Sequence, residues 1–184
     1  RDRSVSRGLG DVYKRQMDMT GKKLPELPRF GMRMELLRQY ENLCYYGRGP
    51  QENYIDRWSS AFVGRYEDKV ENQYYPYARP QETGNKTDVR WLSLSDGEGT
   101  EVEITGVSQP IAFSALHYAP EDLDPGLTRK MQHTIDVIPQ KDVFLHVDLK
   151  QRGLGGDNSW GMFPYNPYRL WDKKYSYSYL IRLK

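Results

Sequence analysis

The sequence has 184 residues, 27 basic and 25 acidic, with a net charge of +2 and 38% hydrophobic content. That length suits one domain, but a mean hydropathy of −0.84 is low for a self-sufficient core, so surface normally covered by another unit is expected. The scattered, balanced charge calls for neither nucleic acid nor an anionic membrane. No apolar run approaches the ~18 residues of a membrane helix, and a lone Cys44 excludes an internal disulfide or a multi-cysteine zinc site.

Residues 1–16, RDRSVSRGLGDVYKRQ, are basic and carry neither an apolar period nor the apolar region of a signal peptide. They resemble a translated sequencing-adapter tail and are set aside as non-native. On this reading the natural N-terminus is missing, and residues 17–184 form one domain. Phe30, Met32, Met34 and Leu36 alternate with Gly31, Arg33 and Glu35, the period of a strand. VRWLSL at 89–94 predicts a second strand, closed by the turn pair Asp96 and Gly97. Val102 and Ile104 alternate with glutamates, and IAFSALHY at 111–118 follows Pro110. A short helix is expected within 120–133, with Glu121 and Asp122 in its first turn and Pro125 and Gly126 limiting it. Val143, Leu145, Val147 and Leu149 define another strand, with His146 on its polar, exposed set. The C-terminal YSYSYLIRL places Tyr175, Tyr177, Tyr179, Ile181 and Leu183 on one face. No second helical pattern alternates with these strands, so an all-β antiparallel sandwich is expected. Long polar loops lie at 46–56, 74–87 and 153–169, and loops of this length are usually functional or sit at an interface.

The aromatic content is unusual, with 15 Tyr, 4 Trp and 5 Phe. Most of these rings suit strand packing, since tyrosine covers a pleated face while its hydroxyl stays wet. Tyr and Trp also suit sugars, whose C–H faces stack on flat rings. The segment GLGGDNSWG at 153–161 carries the sharpest signal. Gly153, Gly155 and Gly156 permit positive φ and close backbone approach. Asp157, Asn158 and Ser159 can bond neighbouring amides and brace a tight loop around Trp160. From the residues alone, Trp160 either points outward or folds back onto the core. The segment is not a phosphate loop, because it lacks the Gly-Lys-Ser/Thr ending and a following helix.

Four motifs in order, GRGPQENYIDR (47–57), YYPYARPQETGNKTDVRW (74–91), FSALHYAPEDL (113–123) and GLGGDNSWG (153–161), resemble the C-terminal domain of β-galactosidases of glycoside hydrolase family two. The resemblance covers residues 24–184. It implies an antiparallel β-supersandwich, similar in fold to galactose mutarotase, here incomplete on its N-terminal side. In that family two glutamates on a separate barrel domain act as acid/base and nucleophile in a retaining mechanism. The C-terminal domain lends the site a tryptophan, which corresponds to Trp160. Gly155, Gly156, Asp157, Asn158 and Ser159 would support its loop. The resemblance therefore implies an enzyme part without catalytic residues of its own, a β-galactoside such as lactose as substrate, and the catalytic barrel and further copies of the chain as partners. No metal is expected here, since the magnesium and sodium ions of the family belong to other domains. The cytoplasm is the expected compartment, with the periplasm as the alternative. Missing upstream strands would leave unpaired sheet edges and low stability.

The remaining candidates carry duller roles. A retaining glycosidase needs two carboxyls about 5–5.5 Å apart, but Glu52, Glu82 and Asp157 are expected to hold loops, the glutamates by accepting backbone N–H bonds. Arg57 is expected to form an ion pair with Asp56, with Glu52 or with a neighbouring domain. His117, His133 and His146 have no metal-ligand spacing, and His117 is expected to be a hydrogen-bonded structural residue. The competing reading is a free-standing carbohydrate-binding module or an aldose epimerase-like protein of the same fold.

Overall fold

A computed structural model describes residues 10–124, 126, 132–158 and 161–184. Ten strands lie among them: β1 (Asp11–Asp18), β2 (Arg29–Leu36), β3 (Asn42–Gly49), β4 (Phe62–Lys69), β5 (Lys86–Val89), β6 (Trp91–Ser95), β7 (Glu101–Gly106), β8 (Ile111–Leu116), β9 (Val143–Gln151) and β10 (Lys174–Leu183). They form two antiparallel sheets, a six-stranded one in the order β1-β10-β7-β6-β3-β4 and a four-stranded one in the order β2-β9-β8-β5. The expected all-β sandwich is present. The short helix α1 (Pro120–Leu123) starts where Pro120, Glu121 and Asp122 favour a first turn; part of its expected span, 125 and 127–131, lies outside the described residues.

The apolar alternation explains how the sheets meet. Leu43 and Tyr45 of β3, Leu92 and Leu94 of β6, Val102 and Ile104 of β7 and the tyrosines of β10 face Phe30, Phe113, Ala115, Val143, Leu145 and Val147 across one core. Phe30 sits between Tyr175 and Tyr177 at ring distances of 5.4 and 5.7 Å. The buried Tyr177 hydroxyl donates to the Val147 carbonyl at 2.7 Å, so a ring of one sheet is tied to a strand of the other. The face predicted for the C-terminal strand holds through Tyr179, and Leu183 at the sheet's end is exposed.

Three strands run differently from the expected pattern. β3 continues through Gly49 into the stretch read as the loop 46–56, and β5 begins at Lys86 inside the stretch read as the loop 74–87. The glycines of β3 are sites of close approach: a Cβ on Gly47 would lie 2.6 Å from a Val89 methyl, where the chain crosses between sheets and the Arg90 N–H donates to the Tyr46 carbonyl. β4 has no apolar face because it is an edge strand paired only with β3. Of the 1–16 segment, residues 11–16 lie in β1, which pairs with β10 along its whole length and is exposed throughout.

Candidate functional site

The long polar segments between strands meet one another. The first two motifs are joined by Glu52. Its Oε2 accepts the Gly84 N–H at 2.7 Å, the Thr83 hydroxyl at 3.2 Å and the Tyr54 hydroxyl at 3.4 Å. Its Oε1 accepts Arg57 at 2.7 Å and the Tyr77 hydroxyl. Arg57 also donates to Tyr77 at 2.8 Å and lies over the Tyr54 ring. The expected partner of Arg57 is therefore Glu52, and the expected backbone bond to Glu52 comes from Gly84. Burial, and then Glu52, push the Tyr77 hydroxyl above its ordinary pKa. Beside this hub the buried Asn53 Oδ1 accepts from the Thr87 N–H and hydroxyl, while Asn85 donates to the Asn53 carbonyl at 2.8 Å. Both oxygens of Glu52 are engaged, as a loop anchor requires.

The glycine-rich third loop is seated on the first. The Gly155 N–H donates to Asp56 Oδ2 at 2.7 Å, and the Gly153 N–H donates to the Tyr168 carbonyl at 2.8 Å. Side chains at Gly153 would collide with the Asp56 carboxylate, and a Cβ on Gly156 would lie 2.5 Å from the Met162 carbonyl oxygen. Close approach, then, is what these glycines provide; among the described residues of this loop, positive φ is found at Gly161, at +101°. Asp157 accepts the Tyr165 hydroxyl at 2.5 Å. Downstream, Phe163 lies between the guanidiniums of Arg152 and Arg169. Both arginines bond the buried Glu26, at 3.0 and 2.7 Å, and the Arg169 bond foremost holds that carboxyl below its ordinary range. Trp160 and Ser159 lie outside the described residues. The described parts place Gly155, Gly156, Asp157 and Asn158 on an exposed arch. Asp56, Arg57, Tyr77, Gln81, Leu154 and Gly155 enclose a recess of about 230 Å³ at its foot. Three of the four motifs meet there. Asp56 is the anchor that sequence reasoning missed. Its signal was the absence of side chains in the glycine run, which has to borrow its acceptor from elsewhere.

A second polar cluster covers the outer face of the four-stranded sheet. Arg29 reaches Asp148 at 2.9 Å, Glu82 at 3.0 Å, Gln151 at 2.7 Å and His146 Nδ1 at 2.9 Å. Gly31 has no side chain because one would strike the Asp148 carboxylate. One guanidinium thus serves the buried Asp148 and the partly exposed Glu82. Burial, with Glu82 adding and Arg29 opposing, pushes Asp148 up to about 7. The exposure expected for His146 is overturned: it is buried, because the loop carrying Glu82 and α1 with its flanks cover the polar side of β9 as well. Burial and the neighbouring Arg29 lower its pKa to about 4, and the Arg29 bond gives Nδ1 the acceptor role of a neutral ring. Glu82 and His146 share a recess of only about 10 Å³, room for about one water. Behind it, His117 bonds the Asp142 carbonyl at 3.1 Å and Glu41 at 2.8 Å, the structural role expected of it. Among the described residues no group of three or more His, Cys, Asp or Glu could hold a metal ion, and no helix is long and apolar enough to cross a membrane.

The family model described as "Beta galactosidase small chain" matches residues 10–181. A β-galactosidase of Priestia megaterium is 34% identical over 175 residues, covering 95% of this chain and 16% of the relative. The β-galactosidase of Streptococcus thermophilus is 34% identical over 138 residues, 75% of this chain and 13% of the relative. That of Vibrio cholerae is 33% identical over 161 residues, 88% of this chain and 14% of the relative. The chain therefore spans about a sixth or less of the length of the curated relatives it matches.

Proposed function

We propose, from the premise that the chain belongs to the β-galactosidase small-chain family, that it borders the active site of a longer glycoside hydrolase and lends that site an aromatic wall. The parent hydrolyses terminal non-reducing β-D-galactose residues, lactose among them. Its two catalytic glutamates lie on another domain, and the chain is inactive alone. Trp160 is the substrate-facing ring. It stacks on the sugar or its leaving group and excludes water without handling a proton. The fold is the mutarotase-like supersandwich, the compartment cytoplasmic and the intact enzyme a homo-oligomer.

The observation that carries this reading is the seating of the 153–161 loop on Asp56. The Gly155 N–H bond to Asp56 ties the described part of the loop to the 47–57 motif, the kind of anchor that a positioned side chain needs. Asp56 is a positioning residue in this scheme. In the product of the intact gene, Asp56→Ala should lower kcat/KM on lactose by roughly tenfold, with Asp56→Asn recovering part of it, since an amide oxygen still accepts the Gly155 N–H. Equal activity of all three proteins would remove the loop from the site. The epimerase-like alternative needs a His and a carboxylate free to face a sugar. The Glu82 and His146 recess is too small for one, and His117, the histidine that reading would use, has both ring nitrogens engaged, with Glu41 and the Asp142 carbonyl.

A further inference from the structure

A cleft of about 450 Å³ opens on the other side of the 54–58 segment from the tryptophan-loop recess. That volume lies within the ~300–1,000 Å³ of small-molecule sites. Its floor is apolar, made by Ile111, Leu149 and Leu170. Its rim carries two partly exposed rings, Trp58 and Tyr168. Trp58 is held by the Arg48 guanidinium 4.8 Å from its ring centre. The same Arg48 pairs at 2.8 Å with Asp88, a non-glycine residue at φ +59°. Aspartate tolerates this left-handed conformation better than most residues, and the ion pair fixes both Asp88 and the arginine that holds Trp58 on the cleft wall.

The polar groups of the cleft say what it would take. Asn85, 1% exposed, lines the cleft and has no partner for its Oδ1 among the described residues. Asp172 and Lys150 line it too, and neither is in an ion pair among the described residues. An apolar ligand would leave the buried Asn85 Oδ1 without a bond and would offer nothing to the exposed Asp172 and Lys150 at the rim. The lining balances two carboxylates, Asp88 and Asp172, against two cations, Lys150 and Arg169, so it selects neither an anion nor a cation by net charge. A neutral ligand that both donates and accepts, with C–H faces for Trp58 and Tyr168, satisfies all of them. We infer that this cleft is a second carbohydrate-binding site, taking a neutral pyranose and separate from the loop that carries Trp160.

The inference shares its ligand class with the proposed function but does not depend on it, because binding is read on this chain without turnover. The test is a titration of the ¹⁵N-labelled chain with lactose and with methyl β-D-galactopyranoside, kept cold and followed by amide chemical shifts. The expected result is saturable shifts at Ile55, Thr87, Gln109 and Tyr168, with a Kd on the order of millimolar. Tyr168→Ala should weaken binding by about fivefold. Asp172→Asn, an exposed change that leaves the core untouched, should weaken it by at least about twofold. The wild-type map stands even if a variant misfolds. A dispersed amide spectrum of the sugar-free chain establishes the folded state; failing that, the same titration is run by calorimetry on the product of the intact gene with its catalytic glutamates replaced. Absence of shifts at those four amides, or of binding heat, up to about 0.1 M sugar would overturn the site, as would shifts confined to 155–158.

Discussion

The two sheets use strands of similar composition and treat their outer faces in opposite ways. In the six-stranded sheet β3, β7 and β10 alternate between buried and wetter residues, and Arg182, Glu103 and Lys184 pair in solvent. In the four-stranded sheet β8 is buried at every position and β9 nearly so. The difference comes from loops. The motif segments fold over the second sheet, so polar residues that alternation alone would put in water are sealed in and must find partners. The surface that carries the candidate sites is built on that sealed side.

The contrast predicts unequal costs for the same chemical change. Arg29→Met leaves Asp148 buried without its cation and the partly exposed Glu82 without its partner, and should cost ~3–5 kcal/mol, read by urea denaturation. A loss under 1 kcal/mol would mean the second face is wetter than its burial implies. Next in size, Glu52→Gln weakens the bonds to Arg57, Tyr77 and Gly84 and should cost ~1–3 kcal/mol, with amide exchange rising in 74–87 while β7 and β10 stay protected.

A smaller effect tests the sealing by pH. Lys86 is almost fully buried, and burial, opposed by Glu52 and Asp68, lowers its pKa to about 8. Between about 8 and its ordinary 10.5 the unfolded chain holds a proton that the folded chain has released. Stability therefore rises with pH across that window, by ~1 kcal/mol from pH 7 to 9. Lys86→Met should flatten that rise, and an unchanged slope would assign it to other groups. The smallest effect belongs to the wet face: Arg182→Met, which breaks a partly exposed pair with Glu103, should change stability by ~0–1 kcal/mol. A cost equal to that of Arg29→Met would erase the distinction between the sheets.

The sheet alternation was legible where apolar residues repeat every second position, as in 30–36, 102–104 and 175–181. It was not legible in β3, where Gly47 and Gly49 look like turn residues but are small because Val89 and Tyr45 press on them, nor in β4, an edge that needs no apolar face. His146 was misread because period two tells which residues share a face, and only the loops decide whether that face is dry. In the candidate site, Glu52 and Arg57 stood out by sequence proximity. Asp56 did not, because its partner Gly155 is 99 residues away. Trp160 was identified through the resemblance, and its ring lies outside the described residues.

The most direct measurement on the central claim is the steady-state kinetics of Trp160→Ala in the product of the intact gene, assayed on lactose and a nitrophenyl β-galactoside. The account predicts a fall in kcat/KM of roughly tenfold or more, at unchanged thermal stability. Kinetics with both kcat and KM equal to wild type would contradict it and reduce this domain to scaffolding.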